Sequence, residues 1–441
     1  MTCTHRRIVC AWITALLVAG FPLGNLTAQG GASVAPTRIV LGWAGSPATS
    51  QAVTWRTTAA IATPQAQVAL DVASPDLAKS ATTVAAHSTA VDLYPSGTVY
   101  HHVARLEGLR PATRYLYRVG DGQAWSEWLA FVTASDQPAP FRFIYLGDAQ
   151  NGLADVFPRT IRAAYAQAPD ARLVVDAGDL LAEGYDDHLW DDWIRAFGFV
   201  AGSVPNLPVP GNHDEHRAPG SPDAKKVLAV SSLWNAHFSL PANGPADLGP
   251  LASQFYFLDY QGVRFVCLDV NPFANEDYVE AERARVQASV MAWLRLALAN
   301  NPNRWTIVVQ HQPLYDVAKD RDYAEMRAVL GALYDEFHVD LVLQGHDHAY
   351  ARSFRLNAGR RVGDHEPGTV YMLSVSGSKM YPVTERQEGR MAKIIEGIQL
   401  YHVVSVDEGR LTVESFGADG RSVDSCQIAK PLATQSHATR R

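Results

Sequence analysis

The chain has 441 residues, 47% hydrophobic and 19% charged, with 32 glycines and 25 prolines. That composition excludes disordered and collagen-like proteins and leaves enough apolar material for two or three packed domains. A formal charge of −7, from 38 Lys and Arg against 45 Asp and Glu, excludes a protein that works by gripping nucleic-acid phosphates, and nothing reads as a basic arm.

The first residues carry the pattern of an export signal: basic His5, Arg6 and Arg7, the apolar run Ile8 to Leu23, and small residues around Leu26, Thr27 and Ala28. The run has sixteen residues, interrupted by Gly20 and Pro22, and falls short of the roughly 18–20 that span a bilayer. Residues 1–28 are therefore expected to be a signal peptide, cleaved near Ala28 to leave an exported chain, periplasmic or secreted, without a stable membrane span. Their loss removes two cations and no acid, leaving −9. It also removes Cys3 and Cys10. The remaining Cys267 and Cys426 are too few for a disulfide framework. Cys267 lies in an apolar run and reads as a buried thiol, with a bridge to Cys426 left open.

Residues 36–133 contain short β-type runs broken by turn residues, for example Ala52 to Trp55, Thr98 to Arg105 and Thr113 to Val119, which predicts an all-β sandwich. Residues 134–140 are a polar, proline-containing linker. From 141 to 415 the character changes to strands alternating with helices. Strands are expected at Phe141 to Leu146, Arg172 to Val175, Leu207 to Val209, Gln254 to Asp259, Val263 to Asp269, Trp305 to Gln310, Val339 to Gln344, Val370 to Val375 and Tyr401 to Val406. Helices are expected at Ala154 to Gln167, Asp187 to Phe199, Tyr278 to Asn300 and Tyr323 to Phe337. The alternation predicts an α/β core with mixed sheets. Residues 428–441 read as a polar tail.

Five motifs follow strand-like runs directly: Gly147-Asp148-Ala149-Gln150, Gly178-Asp179, Gly211-Asn212-His213-Asp214, His311, and Gly345-His346-Asp347-His348. Ligands gather at the carboxyl ends of strands in open α/β sheets, so the five loops are expected to share one crevice. Carboxylate, amide and imidazole groups together bind Zn, Fe or Mn, and one carboxylate can bridge two ions. Each motif alone is common in turns; the five in this order are not. His101, His102 and His188 have no such context and read as solvated, and His216, Tyr350 and Arg352 as structural or peripheral.

The five motifs resemble those of the calcineurin-like metallophosphoesterases. With the preceding β-sandwich, the chain is most similar to two-domain purple acid phosphatases. The segment Leu106 to Val119 resembles a fibronectin type III pattern, with Tyr115 as its corner tyrosine and Trp55 as the core tryptophan. The resemblance implies a four-layer α/β/β/α catalytic domain. It places Asp148 and His348 on one metal, Asn212, His311 and His346 on a second, and Asp179 between them. It makes His213 a phosphate-contacting acid rather than a ligand. Two departures stand out. Alanine, Ala182, occupies the position three residues after the bridging aspartate, where the purple family has tyrosine. Gln150 occupies the place of the histidine in the Asp-X-His motif of other members, and could be a ligand or a hydrogen-bonding neighbour. The histidine pair that plant members carry after His311 is missing too.

The expectation is an exported hydrolase with two metal ions from Fe, Zn or Mn, cleaving phosphate monoesters by attack of a metal-bound hydroxide on phosphorus. A phosphodiesterase or nucleotide hydrolase on the same scaffold is the alternative, and a non-catalytic surface binding protein the alternative of another class. The partner is a phosphate ester substrate, with no nucleic acid as structural partner.

Overall fold

Strand-forming residues between Thr37 and Val132 make two four-stranded antiparallel sheets in the computed structural model. The structure describes residues 35–431 except 94–95, 216–228, 275–279, 385–386 and 388. The expected signal peptide, His216 and the tail beyond residue 431 lie outside the described residues. One sheet has the order β1 (Thr37–Gly42), β2 (Ser50–Thr57), β6 (Gly97–Glu107), β5 (His87–Leu93). The other runs β4 (Thr82–Ala85), β3 (Gln65–Leu70), β7 (Arg114–Gly120), β8 (Leu129–Val132). Their facing side chains, among them Leu41, Trp55, Tyr117 and Val119, form one core. The Tyr115 hydroxyl accepts the Arg110 amide at 2.9 Å, closing a tyrosine corner.

The sandwich docks on the α/β domain through polar pairs that cross between them. Arg38 and Arg56 both bind Asp187, at 2.5 and 2.8 Å. Thr54 donates to the His237 carbonyl at 2.5 Å and Tyr117 to the Gly202 carbonyl at 2.6 Å. Here the reading of His101 and His102 as solvated is corrected: they are 4% and 1% exposed. His101 packs edge-on against His237 with ring centroids 4.7 Å apart, and His102 bonds Thr57 and Ser88. They lie on β6, where one ring faces the domain contact and its neighbour the other side of the pleat.

The α/β domain packs two mixed sheets face to face. The six-stranded sheet has the order β11 (Asn206–Pro208), β10 (Val174–Asp176), β9 (Phe141–Leu146), β21 (Leu400–Val406), β22 (Arg410–Gly417), β23 (Ser422–Ala429), with β11, β10 and β9 parallel. The seven-stranded sheet runs β12 (Phe255–Tyr260), β13 (Val263–Leu268), β14 (Trp305–Gln310), β15 (Leu341–Gln344), β19 (Val370–Leu373), β16 (Tyr350–Ser353), β20 (Met391–Ile395), with β13, β14, β15 and β19 parallel. A short ribbon, β17 (Leu356–Asn357) with β18 (Arg360–Arg361), lies outside both. The layer between the sheets is apolar, built from residues such as Phe143, Tyr145, Val175, Cys267, Val309 and Leu343.

Helices Phe157–Gln167 and Asp187–Phe197 cover the outer face of the first sheet and Glu280–Ala299 that of the second, giving four α/β/β/α layers. The helix at Asp187 starts where the Asp186 carboxylate accepts the His188 amide at 2.8 Å and stops at Gly198. The six-stranded sheet runs past residue 415 to Ala429, because Val413 and Ile428 point into the shared core and β23 pairs along β22 from Arg410 to Phe416. Cys267 and Cys426 are both free thiols, on different sheets.

Candidate metal centre

Five parallel strands, β9, β10, β11, β14 and β15, end at the five motif loops, so the topology itself delivers the site. The chain must turn sharply at each end. Asp148, Asp179, His346 and His348 all have φ between 47° and 74°, the left-handed region that non-glycine residues rarely enter. Gly178 has φ +86, and a Cβ there would stand 2.7 Å from His311 Nδ1. Glycine is the residue that allows the Asp179 and His311 loops to touch.

Two groups of potential ligand atoms result, a first of Asp148 with Asp179 and His348 and a second of Asp179 with His311 and His346, the atoms of each lying within 4.8 Å of one another. Asp179 belongs to both. His311 Nε2 is 3.2 Å from Asp179 Oδ2 and 3.1 Å from His346 Nδ1, and His348 Nε2 is 3.5 Å from Asp148 Oδ1. Gln150 joins the first site, its amide nitrogen 2.7 Å from Asp179 Oδ2 and 3.1 Å from His348 Nε2. Asn212 follows Gly211, where a Cβ would overlap Asp179 Oδ1, and precedes His213, whose amide donates to the same oxygen at 2.9 Å.

These residues fit a pair of metal ions. Asp148 Oδ1, Gln150 Oε1 and Asn212 Oδ1 are buried without a hydrogen-bond partner, which is costly unless a cation takes them up. The distal imidazole nitrogens are already held: His311 Nδ1 by the Ala177 carbonyl at 2.8 Å, His348 Nδ1 by the Lys379 carbonyl at 2.9 Å, and His346 Nε2 by the Tyr323 hydroxyl at 2.6 Å. Such contacts fix which nitrogen faces a metal.

The electrostatics are those of crowded donors. Burial pushes Asp148 well above the carboxylate range. Burial would raise Asp179 too, but the His311 imidazole beside it prevails and holds it low. His311 is pushed up to about 9 because the Asp179 and Asp148 carboxylates outweigh its burial. Burial lowers His346 and takes His348 down to about 3, so both are neutral donors.

His213 lies beside the centre, its Nδ1 2.9 Å from the Ala182 carbonyl. Tyr185 is raised by burial and by the Glu215 carboxylate. Tyr350 and Arg352 both bind Asp424 of β23, each at 2.7 Å, a structural role. Three residues that the sequence reading gave no role support the site. Asp214 accepts the amides of Gly211 at 2.9 Å and Leu180 at 3.3 Å, tying two motif loops together. Its place at the end of the Gly-Asn-His-Asp motif was the available signal. Tyr323 and Arg321 reach His346 from a segment with no motif at all.

Two family models match the chain: the purple acid phosphatase N-terminal domain over residues 36–133 and calcineurin-like phosphoesterase over residues 141–350. The chain thus carries a calcineurin-like phosphoesterase domain, of a metal-dependent class, preceded by the N-terminal domain of purple acid phosphatases. It is similar to acid phosphatase type 7 of Homo sapiens, 25% identical over 96% of this chain and 97% of that protein. Purple acid phosphatase 23 of Arabidopsis thaliana is 28% identical over 60% of this chain, which spans 59% of the plant protein. Among solved structures, purple acid phosphatase PPD1 from yellow lupin seeds superposes with a TM-score of 0.73 over 90% of this chain and 75% of that one, at 18% identity. A structure of PhoD superposes with a TM-score of 0.62 over 91% of this chain and 94% of that one, at 13% identity.

Proposed function

We propose that this chain hydrolyses phosphate monoesters outside the cytoplasm. The observation that carries the reading is the pair of ligand groups sharing Asp179, edged by three buried oxygens that lack partners. Asp148, His348 and Gln150 would hold one metal, Asn212, His311 and His346 the other, with Asp179 bridging. Bound there, two cations from Fe, Zn or Mn supply an acidified water and neutralise phosphoryl charge. The chain does the rest. Asp179 is positioned through its contact with His311 and the His213 amide. The Ala182 carbonyl fixes His213 Nδ1 as a donor, so a proton given to the leaving oxygen passes through Nε2. The names of the relatives, acid phosphatases, favour monoesters. The N-terminal pattern of Arg6, Arg7 and an apolar run favours export, and among the described residues no helix is long and apolar enough to cross a membrane.

The test compares p-nitrophenyl phosphate with bis(p-nitrophenyl) phosphate on protein loaded separately with Zn, Mn and Fe. Faster monoester cleavage supports the reading, whereas a diester preference reassigns the chain to phosphodiesterases. Inertness toward both, with metal fully bound, makes it a binding protein. N-terminal sequencing of material recovered outside the cytoplasm should begin near Gln29.

A further inference from the structure

Two cations stand beside the metal centre, Arg321 paired with a single carboxylate and Lys379 with none among the described residues. Arg321 Nη1 donates to the His346 carbonyl at 2.6 Å and to Asp347 Oδ1 at 2.9 Å. Its Nε and Nη2 have no hydrogen-bond partner among the described residues, and the side chain is 23% exposed. Asp347 shares its charge with the amides of Val317 and Ala318, at 2.5 and 2.9 Å, so it neutralises Arg321 only in part. Lys379 Nζ has neither a hydrogen bond nor an ion pair among the described residues. Its recorded contact is the Tyr381 ring, 5.3 Å away.

The same ring carries the Arg321 guanidinium at 5.0 Å and meets the imidazole of His348 at 4.7 Å. Tyr381 therefore gathers both cations one aromatic ring away from a ligand histidine. The backbone fixes them as well, since the Lys379 carbonyl accepts from His348 Nδ1 and Arg321 grips the His346 carbonyl. In a chain of charge −7, this is a local positive rim at the edge of the site.

The metal pair already meets the charge of the scissile phosphoryl group, so cations further out face what is attached to it. We infer that Arg321 and Lys379, gathered by Tyr381, form a subsite for a second anionic group on the leaving side of the substrate. The preferred class is then phosphate esters that also bear a carboxylate or a further phosphate. This rests on the phosphomonoesterase reading and narrows its substrates. Arg321 serves here as guanidinium does elsewhere, with planar donors matched to carboxylate or phosphate oxygens.

The experiment uses a matched pair of esters, glycerol 3-phosphate and 3-phosphoglycerate, which differ by one carboxylate, with phosphate release as the signal. Wild type should favour 3-phosphoglycerate in kcat/KM. In Lys379→Met the ratio of the two kcat/KM values should fall by roughly tenfold, the scale of one charge-assisted contact, mostly through KM. Lys379→Glu should lower it further. Raising ionic strength should shrink the wild-type ratio, because part-exposed charges are screened. Metal content is measured on every variant, and the ratio itself cancels a shared loss of folded or loaded protein. A ratio that stays within twofold of wild type in both variants overturns the subsite while leaving the phosphomonoesterase intact. Inertness of metal-loaded wild type toward both esters overturns the underlying reading, and the subsite with it.

Discussion

Replacing Tyr323 with phenylalanine removes one oxygen behind the second ligand group and should weaken that metal selectively. The hydroxyl is 2.6 Å from His346 Nε2, and the two rings meet at 5.7 Å. Burial raises the phenol to about 12, so it stays protonated across the working range. For His346 to offer the Nδ1 lone pair beside His311 Nε2, 3.1 Å away, its proton must sit on Nε2, with the Tyr323 oxygen accepting it. Phenylalanine keeps the ring contact and strands that N–H in a buried place. A stranded buried donor costs about 1–3 kcal/mol, and lost partners of ligand histidines cost roughly 10–100-fold in metal affinity. Titration with a graded chelator, read by elemental analysis, should show the second ion leaving Tyr323→Phe at a lower chelator concentration while the first is held as in wild type. Equal affinity at both sites in variant and wild type would refute the argument. A parallel loss at both, with a lower melting temperature of the metal-free form, would show that Tyr323 supports the fold instead.

Other consequences are sharper in direction than in size. His213→Asn should keep both metals and lower turnover by roughly 10²–10⁴-fold, as for a lost acid-base group, and wild-type turnover would remove that role. Gly178→Ala puts a Cβ 2.7 Å from His311 Nδ1 at φ +86, so metal content and activity should fall together. Retention of both would mean the loops are not held as described. Burial lowers His101 and His102 from 6.5 to about 4. The unfolded chain therefore binds more protons between those values. Stability is full above pH 6.5, falls as pH drops toward 4, and levels off below, with a slope of up to about 1.4 kcal/mol per pH unit for each ring. Melting temperatures across that window should show the fall, and His101→Gln should flatten it.

How much of this was legible depends on whether a feature is local. The order of strand, glycine and ligand is local, so Asp148, Asp179, His311, His346 and His348 could be picked out, and the structure brings them together. The corner made by Tyr115 and the buried Trp55 were readable for the same reason. What escaped depends on contacts between distant segments. His101 is buried against His237, more than a hundred residues away, and His102 inside the sandwich beside Trp55, Thr57 and Ser88. β22 joins the six-stranded sheet by pairing with β21, and β23 by pairing with β22, although the sequence near residue 415 gives no sign of it. Tyr323 and Arg321 reach His346 from a segment that carries no motif.

The absence of a tyrosine at position 182 carries the remaining prediction. The Ala182 carbonyl is occupied by His213 Nδ1. The Tyr323 hydroxyl is engaged with His346 Nε2, and burial and the Glu215 carboxylate raise Tyr185, which disfavours its phenolate. Without a phenolate on iron there is no tyrosinate charge transfer, so the iron-loaded chain should be colourless or pale, unlike the family it resembles. Gln150 occupies the gap between Asp179 Oδ2 and His348 Nε2. Half a turn of its amide puts Oε1, now buried without a partner, where the nitrogen stands. A neutral amide oxygen stabilises Fe(III) less than phenolate does, so Zn, Mn or Fe(II) should serve at that site. Gln150→Ala should then lower occupancy of the first site more than of the second. Elemental analysis and a visible spectrum decide the matter. An intense purple band in iron-loaded wild type would show that a tyrosine, Tyr185 being the nearest along the chain, swings onto the metal, and the reading of this loop would fall.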